Sequence, residues 1–297
     1  MTPNTPQLEA LQTISVTLLS CNRCAELAKT LESLCQPEFS WKEIIVADNA
    51  STDATRTMLR ERFQHVQLIE IDKNQGVQGL NLAFEQASGD WILSLDDDSA
   101  PAMATWGPLL EKLPEYTHAA AVALSITAKP HNYVRIAKPG SPIVRAWGFS
   151  QAGCLFNRRA LSALGGFDER LFLWAVELHW TAKAITAGWE LYRCDSAQVV
   201  HRTTPLNRSS ERHAFFYCRN LLLFVLAYAP LSRIRKILPR FLSDSLKYSV
   251  LHRSLVYWQA LSQAQQLYAQ FPTQPRLSES AFDAIQPDLR APFAYLS

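Results

Sequence analysis

The regular alternation of short apolar runs with helical patterns constrains the fold of this chain more than any other feature. Strands separated by helices of ten to twelve residues form β-α-β units, so the N-terminal half is predicted to be α/β with a mostly parallel central sheet. The predicted strands are 14–20, 43–48, 66–72, 91–98 and 119–126. The predicted helices between them are 24–34, 54–63, 77–87 and 102–113.

The pattern changes after residue 128. Residues 129–150 lose periodicity and gain Pro and Gly, which predicts an irregular excursion. A strand at 153–156, helices at 158–164 and 176–187, and a strand at 191–200 are predicted to follow. Beyond Thr204 the sequence predicts only helices, so we expect a catalytic domain at 1–204 and a basic helical extension at 205–297.

In that extension the sequence predicts an amphipathic basic helix with one apolar stripe. Pro239 is expected to kink or restart it. The stripe is predicted to consist of Ile234, Ile237, Leu238, Phe241, Leu242 and Leu246.

The positive charge is concentrated in the C-terminal third. The formal net charge is +2, yet residues 201–255 hold ten Lys or Arg against two acids. Such a segment suits phosphate groups on a nucleotide, a lipid headgroup or nucleic acid. Intramolecular packing of the helix and docking on an anionic membrane are both compatible with this pattern.

The six cysteines follow no recognisable export signal. Residues 1–10 (MTPNTPQLEA) have neither a basic nor an apolar region, so we expect reduced thiols and a cytoplasmic location. The longest apolar run, 221–230, is about half of the roughly 20 residues that a spanning helix needs. The sequence therefore predicts no integral membrane protein, with peripheral contact at the inner membrane face left open.

Three consecutive aspartates, Asp96 to Asp98, follow the apolar run WILSL, and Asp48 ends the run EIIVAD. The carboxyl ends of parallel strands meet at one sheet edge, where ligands bind. A hard divalent cation would relieve the repulsion among these acids, which favours Mg²⁺ or Mn²⁺. The alternative for Asp96 to Asp98 is a solvated acidic turn that caps the helix predicted at Ala102, and the alternative for Asp48 is an ordinary turn with a helix cap.

Motifs that cradle phosphates with glycines do not occur. Neither G-x-G-x-x-G nor G-x-x-x-x-G-K-[ST] is found, so bound phosphates would have to be held by a metal and by cationic side chains. A single C-x-x-C at Cys21 to Cys24 has no second pair and no histidine at ligand spacing, so it does not predict a zinc site.

An ordered set of motifs spread over residues 15–202 resembles the inverting family 2 glycosyltransferases of the GT-A fold, a Rossmann-like fold whose sheet is flanked by helices. The motifs are SVTLLSCNR (15–23), EIIVADNASTD (43–53), NQGVQGLNLAF (74–84), GDWILSLDDDSAP (89–101), GGFDERLF (165–172), AGW (187–189) and His201. The His201 to Asn220 tract also resembles rhamnosyltransferase-like members.

The resemblance implies roles for individual residues. It places Asp98 on a metal bound to the donor diphosphate, with His201 as a second ligand. Four arginines are candidates for stabilising the negative charge on the departing nucleoside diphosphate, namely Arg202, Arg208, Arg212 and Arg219. The residues that the resemblance places on the donor are Ser20, Asn22, Asp48, Asn74, Gly76, Asp96 and Asp97.

The catalytic base is where the chain departs from the family pattern. The family pattern is Glu-Asp followed by x-Asp-x-x-x-Arg. An ungapped comparison puts Val176 at the Glu of this pattern and Glu177 at the Asp that follows it. It puts His179 at the second Asp and Lys183 at the Arg. The resemblance therefore implies Glu177 as the base, one methylene longer than the usual Asp. The alternative is a polar residue that opens a helix.

Together these features predict a metal-dependent inverting glycosyltransferase of polysaccharide biosynthesis. The implied donor is dTDP-rhamnose or a UDP-hexose, and the implied acceptor is a hydroxyl of a glycan or lipid-linked glycan. No nucleic-acid partner is predicted. A non-catalytic sugar-nucleotide-binding relative remains open because acids around Glu177 are replaced. A metal-dependent phosphohydrolase or nucleotidyltransferase is compatible with the aspartates alone.

Overall fold

The chain folds into two compact units. The computed structural model describes residues 9–36, 39–128, 143–202, 210–285 and 289. One unit is Met1–Gly166 with Trp189–Thr204, and the other is Phe167–Gly188 with Pro205–Ser297. The division into domains at 1–204 and 205–297 stays a prediction. Most of the irregular excursion predicted at 129–150, as well as Arg208, lies outside the described residues.

The first unit is built on a mixed sheet that contains nine strands among the described residues. Their order is β3-β2-β1-β4-β8-β6-β9-β5, with β7 paired to β9. The strands are β1 (Ile14–Ser20), β2 (Glu43–Asn49), β3 (Gln67–Ile71), β4 (Trp91–Asp96), β5 (Ser99–Pro101), β6 (Ala119–Ala128), β7 (Ile143–Ala146), β8 (Cys154–Asn157) and β9 (Glu190–His201). The helices of this unit are α1 (Cys24–Leu34), α2 (Thr55–Arg62), α3 (Gln78–Gln86), α4 (Gly107–Lys112) and α5 (Arg158–Leu164).

Strands β1 to β4 form the parallel part of the sheet, and they are joined by helical crossovers. Apolar residues on β1 and β4, such as Val16 and Leu93, are fully buried against Leu27 and Leu31 of α1. Burial on both sheet faces explains why the sequence shows continuous apolar runs rather than strict alternation. The predicted α/β fold with a mostly parallel central sheet is confirmed.

The start of β1 passes very close to the loop before β4. A Cβ atom on Gly89 would lie 2.6 Å from the backbone nitrogen of Ser15 and 2.7 Å from the carbonyl oxygen of Thr13. Only glycine fits this approach. The side-chain hydroxyl of Ser15 also accepts a hydrogen bond from the Gly89 amide at 2.8 Å.

The structure divides one predicted helix and adds two strands that were not predicted. The helix predicted at 102–113 is divided into a 3₁₀ turn, Met103–Thr105, and the short helix α4. Strand β5 and strand β7 are additions at the side of the sheet that contains β9. Both pair antiparallel with β9, which places His201 opposite Ser99.

The described part of the second unit is helical. Its helices are α6 (Val176–Thr186), α7 (Ser210–Tyr228), α8 (Leu231–Leu251), α9 (Val256–Tyr268) and α10 (Glu279–Ile285). Of the two outcomes predicted at Pro239, the restart is wrong because helix α8 continues through this residue, and the kink stays a prediction. Within the predicted stripe Phe241 is buried, whereas Leu242 and Leu246 are exposed. In the described ranges we find no helix with the length and apolar character needed to cross a membrane.

Candidate active site

The carboxyl ends of three parallel strands bring the predicted site residues of the first unit to one edge. The register pairs Ser20 at the end of β1 with Asp48 at the end of β2. On the other side of β1, Leu19 is opposite Asp96, the last residue of β4. The shared sheet edge predicted for the two acidic segments is therefore present.

Asp96, Asp98 and His201 form a cluster that can hold a metal ion. One ligand atom from each lies within 4.8 Å of the others. The Nε2 atom of His201 is 2.9 Å from Oδ1 of Asp98 and 3.6 Å from Oδ2 of Asp96. Two carboxylates suit a hard divalent cation, and the added imidazole favours Mn²⁺ over Mg²⁺. Asp96, predicted beside the ribose, thus lies in the same cluster as the two predicted metal ligands.

Backbone pairing fixes the distance between the two aspartates of this cluster and His201. Ser99 is opposite His201 in the antiparallel pair of β5 and β9, and the Arg202 amide donates to the Asp98 carbonyl at 3.0 Å. A one-residue slip in this register would turn His201 to the opposite sheet face. The geometry of the cluster therefore depends on the sheet rather than on a mobile loop.

Asp97, the central aspartate, is buried and engaged within the first unit. Its Oδ1 lies 2.7 Å from Nε of Arg23, and its Oδ2 accepts a hydrogen bond from Ser20 at 2.8 Å. Burial raises the pKa of Asp97 to about 7, although Arg23 and Ser20 act in the opposite direction. The role of Asp97 beside the donor ribose stays a prediction.

Arg23 is a functional candidate that sequence reasoning missed. Its guanidinium also approaches Asp98, with a terminal nitrogen 2.5 Å from Oδ2. One oxygen of Asp98 thus faces Arg23 while the other faces His201. The signal available in the sequence was a lone cation directly after the first strand, in the motif SCNR.

Asn22 connects the loop after β1 to the loop after β2. Its φ of 56° is left-handed, a region in which Asn is one of the few tolerated residues. Its side-chain oxygen accepts hydrogen bonds from the amides of Thr52 at 2.7 Å and Asp53 at 3.2 Å. Asn22 thereby holds together two loops whose residues the resemblance places on the donor.

Asp48 is fully buried at the end of β2. Its Oδ2 lies 2.5 Å from Nε of Arg56 and accepts from the Ser51 amide at 3.2 Å. Its Oδ1 is buried without a hydrogen-bond partner among the described residues. A buried carboxylate oxygen in this state is costly unless a ligand or water donates to it.

The Asn74 to Gly76 turn is held from β2. Asn49, buried next to Asp48, donates from Nδ2 to the Gly76 carbonyl at 3.0 Å and to Oδ1 of Asn74 at 3.2 Å. The Gly76 amide donates to the same Asn74 oxygen at 2.9 Å. Gly76 has a φ of 61°, which favours glycine. Asn49 is thus a supporting residue that the resemblance did not single out.

Glu177, the predicted base, lies in the first turn of α6 in the second unit. The segment before it is strained, since Phe172, Trp174 and Ala175 have φ values of 60°, 57° and 55°. Left-handed non-glycine residues of this kind cluster at functional sites. The role of Glu177 stays a prediction.

Two buried residues of α7 hold the strained segment. Nδ2 of Asn220 lies 2.9, 2.8 and 2.7 Å from the carbonyl oxygens of Leu171, Leu173 and Trp174. Arg219 donates to the Leu171 carbonyl at 2.5 Å, and its Nε donates to Oδ1 of Asn220 at 2.9 Å. Arg219 was a candidate for stabilising charge on the diphosphate, but its guanidinium makes these hydrogen bonds within its own unit.

The position that carries an acid in the family holds a neutral histidine here. His179 is buried, and its Nε2 donates to the Asn220 carbonyl at 2.9 Å. Burial lowers the pKa of His179 to about 4. In the first unit Arg202 is also engaged, because its Nε donates to Glu26 at 2.9 Å.

Comparison with known proteins relates this geometry to one family. Residues 15–159 match the description "Glycosyl transferase family 2". An uncharacterized glycosyltransferase of Haemophilus influenzae is 36% identical over 87 residues, which is 29% of each chain. The N-acetylglucosaminyl-diphospho-decaprenol L-rhamnosyltransferase of Mycobacterium tuberculosis is 24% identical over 206 residues, covering 53% of this chain and 66% of that protein. The chain thus spans less than two thirds of the length of these relatives.

Solved structures share the fold over almost the whole chain. The mannosyltransferase PcManGT from Pyrobaculum calidifontis, in complex with GDP-Man and Mn²⁺, superposes with a TM-score of 0.58 at 18% identity, covering 96% of this chain and 84% of that one. TarS 1–349 of S. aureus, in complex with UDP-GlcNAc, gives 0.58 at 17% identity, covering 95% and 86%. The predicted GT-A fold with a C-terminal helical region is confirmed.

Proposed function

The chain carries a family 2 glycosyltransferase domain at residues 15–159, and from that premise we propose that it transfers a sugar from a nucleoside-diphosphate donor to a hydroxyl group with inversion. The observation that carries the proposal is the cluster of Asp96, Asp98 and His201 at the carboxyl edge of the sheet. The resemblance implies that the donor diphosphate is held at this edge.

Several contacts support a nucleotide beside the cluster. The buried Oδ1 of Asp48 has no hydrogen-bond partner among the described residues, so an N–H group of a base would satisfy it. Asn22, Asn74 and Gly76 hold the neighbouring loops in fixed turns. In the proposal these residues and Ser20 line the donor site. Asp97 is proposed to lie next to the donor ribose.

The proposed metal ligands are Asp98 and His201, with Asp96 as a third. When bound, Mn²⁺ or Mg²⁺ stabilises the charge that develops on the departing nucleoside diphosphate. Arg23 faces Asp98 from the other side and keeps the carboxylate in place. Glu177 is the proposed base: its carboxylate accepts the proton of the acceptor hydroxyl as that oxygen attacks the anomeric carbon.

We propose dTDP-rhamnose or a UDP-hexose as the donor. The acceptor is proposed to be a hydroxyl of a glycan or lipid-linked glycan in polysaccharide biosynthesis. The names of two relatives support the acceptor class, since one is the rhamnosyltransferase above and the other is the Campylobacter jejuni GalNAc(5)-diNAcBac-PP-undecaprenol beta-1,3-glucosyltransferase, 30% identical over 35% of this chain and 36% of that protein. The cytoplasmic location and a peripheral contact with the membrane stay predictions.

Nucleotide binding is tested by thermal shift with UDP, dTDP, GDP and CDP, each with and without Mn²⁺ or Mg²⁺. A ligand at 100 times its dissociation constant adds about 2.7 kcal/mol, which should raise the melting temperature by about 5–10 °C. Asp98→Ala should abolish the metal-dependent rise, whereas Asp90→Ala, a change at an exposed acid of the same unit, should keep it. If no nucleotide raises the melting temperature of the folded protein, the proposed site is wrong.

The base is tested by release of nucleoside diphosphate from dTDP-rhamnose or from a UDP-hexose, chosen by the nucleotide that raises the melting temperature. Glu177→Gln should abolish turnover while the nucleotide-induced shift remains, and Glu169→Gln, at an exposed carboxylate of the same unit, should leave both unchanged. Near wild-type turnover in Glu177→Gln would refute the base assignment. Binding without turnover in the wild-type protein would support the non-catalytic relative instead.

A further inference from the structure

The C-terminal half of α8 has small polar residues on its buried face and large apolar residues on its exposed face. Ser245 is fully buried and Ser249 nearly so, while Leu246 and Val250 are 50% and 70% exposed. The hydroxyl of Ser245 donates to the Phe241 carbonyl at 2.8 Å, so its burial leaves no unmade hydrogen bond. A surface helix of a water-soluble unit normally shows the opposite arrangement.

Three of the exposed apolar residues of α8 form a row. Leu242, Leu246 and Val250 are spaced by four residues, which places them in a row along the helix. Leu251, Leu255 and Trp258, which follow along the chain, are exposed as well. We call these six residues the α8 face, and their exposure ranges from 41% to 70%. Monomeric proteins rarely expose a contiguous apolar patch without a binding role.

The charges carried by residues 231–258 are almost all positive. The single acid between residues 231 and 258 is Asp244, 4.0 Å from Arg240. The exposed cations on and beside the face are Arg235, Lys236, Arg240, Lys247 and Arg253. A symmetric contact between two copies through this face would bring like charges together. An anionic surface is the complementary partner.

We propose that the α8 face docks on the surface of an anionic lipid bilayer. Leu242, Leu246 and Val250 enter the boundary between headgroups and acyl chains, while the lysines and arginines contact lipid phosphates. The inference goes beyond the proposed sugar transfer and does not depend on it, because vesicle binding is measured without a donor. It gives the protein a surface-bound position from which a lipid-linked substrate is within reach.

The test is co-sedimentation of the full-length chain with vesicles of phosphatidylcholine alone or with about 30% phosphatidylglycerol. We expect binding to the anionic vesicles and little to the neutral ones, with a marked loss between about 50 mM and about 500 mM salt. Leu246→Ser with Val250→Ser should weaken binding about tenfold or more. Lys236→Gln with Lys247→Gln should weaken it about 25-fold, since each cation contributes about fivefold.

Matched controls come from the first unit. Val144→Ser changes an exposed aliphatic residue and Lys112→Gln an exposed cation, so neither should alter vesicle binding. The nucleotide-induced thermal shift of every variant shows separately whether the donor site is intact. Equal binding to neutral vesicles, no binding at all, or unchanged binding in both double variants would overturn the proposal. A dimer in light scattering that Leu246→Ser with Val250→Ser dissociates would assign the face to a second copy.

Discussion

Asn220 offers the sharpest test of how the segment before the proposed base is held. In Asn220→Leu the branching at Cγ is kept but both side-chain donors are lost. The carbonyl oxygens of Leu173 and Trp174, now 2.8 and 2.7 Å from Nδ2, would lose that donor, whereas the Leu171 carbonyl keeps Arg219. Each unsatisfied buried group costs about 1–3 kcal/mol, so we expect a loss of about 3 kcal/mol in the free energy of unfolding.

The assay is urea unfolding of the full-length chain, with Gln263→Leu as the comparison. Gln263 accepts one hydrogen bond, at 2.6 Å, from Arg219 of the same network, so its loss should cost only about 1 kcal/mol. Limited proteolysis should also cut the 171–175 segment faster in Asn220→Leu. A loss below about 1 kcal/mol, or one equal to that of Gln263→Leu, would refute the argument that Asn220 holds this segment.

Three further changes test other parts of the structure. His179 has a pKa near 4, below its unfolded value, so its neutral form stabilises the fold above about pH 6.5 and this stability is lost as the pH falls towards 4. Wild-type stability should therefore drop by about 2 kcal/mol between pH 7 and pH 5, and His179→Gln, which keeps a donor but does not titrate, should flatten that slope in thermal unfolding. Ala175→Gly, at a φ of 55°, should leave the free energy of unfolding in urea unchanged or raise it by up to about 1 kcal/mol. Ala182→Gly, inside α6, should lower it by about 1 kcal/mol or more. Equal losses in the two variants would contradict the strain assigned to Ala175. Gly89→Ala should lower the free energy of unfolding by about 2–4 kcal/mol, since its Cβ would meet the Ser15 backbone at 2.6 Å. A variant that melts at the wild-type temperature would show that β1 and the loop before β4 can move apart without cost.

The local patterns of the N-terminal half were enough to predict most of its elements. Strand β1 and helix α1 match their predicted bounds, because buried parallel strands and amphipathic crossovers leave clear periodic signals. Strands β5 and β7 were missed, since three or four residues at the side of a sheet leave no periodicity to detect. Their positions follow from pairing with β9, a contact that no local pattern records.

The candidate site was predictable only in part. Acids at strand ends could be read from the chain, and the ordered motifs added His201 to them. The contacts of Arg23 with Asp97 and Asp98 join residues about 75 positions apart, so they exist only in the folded state. Asn220 was missed for the same reason, because the carbonyl groups that it holds lie nearly fifty positions earlier in the chain.

The sequence could not predict which members of the stripe on α8 are buried, and the reason is physical. Helical periodicity shows that two faces differ, but it does not say which face packs inward. Ser245 and Ser249 lie on the buried face, where short side chains let neighbouring helices approach closely. Leu242 and Leu246 are therefore left at the surface, and the pattern in the sequence does not distinguish this case from the usual one.

The ladder between β5 and β9 has a consequence for the order of folding. Asp98 and His201 are about one hundred residues apart in the chain, yet they are neighbours through the Ser99 and His201 pair. Contacts of such long sequence separation form late because the closure of the intervening loop is entropically costly. Pulse-labelled hydrogen exchange during refolding should protect amides of β1 and β2 before that of Arg202. During synthesis the cluster of Asp96, Asp98 and His201 would accordingly be completed only after the parallel strands have assembled.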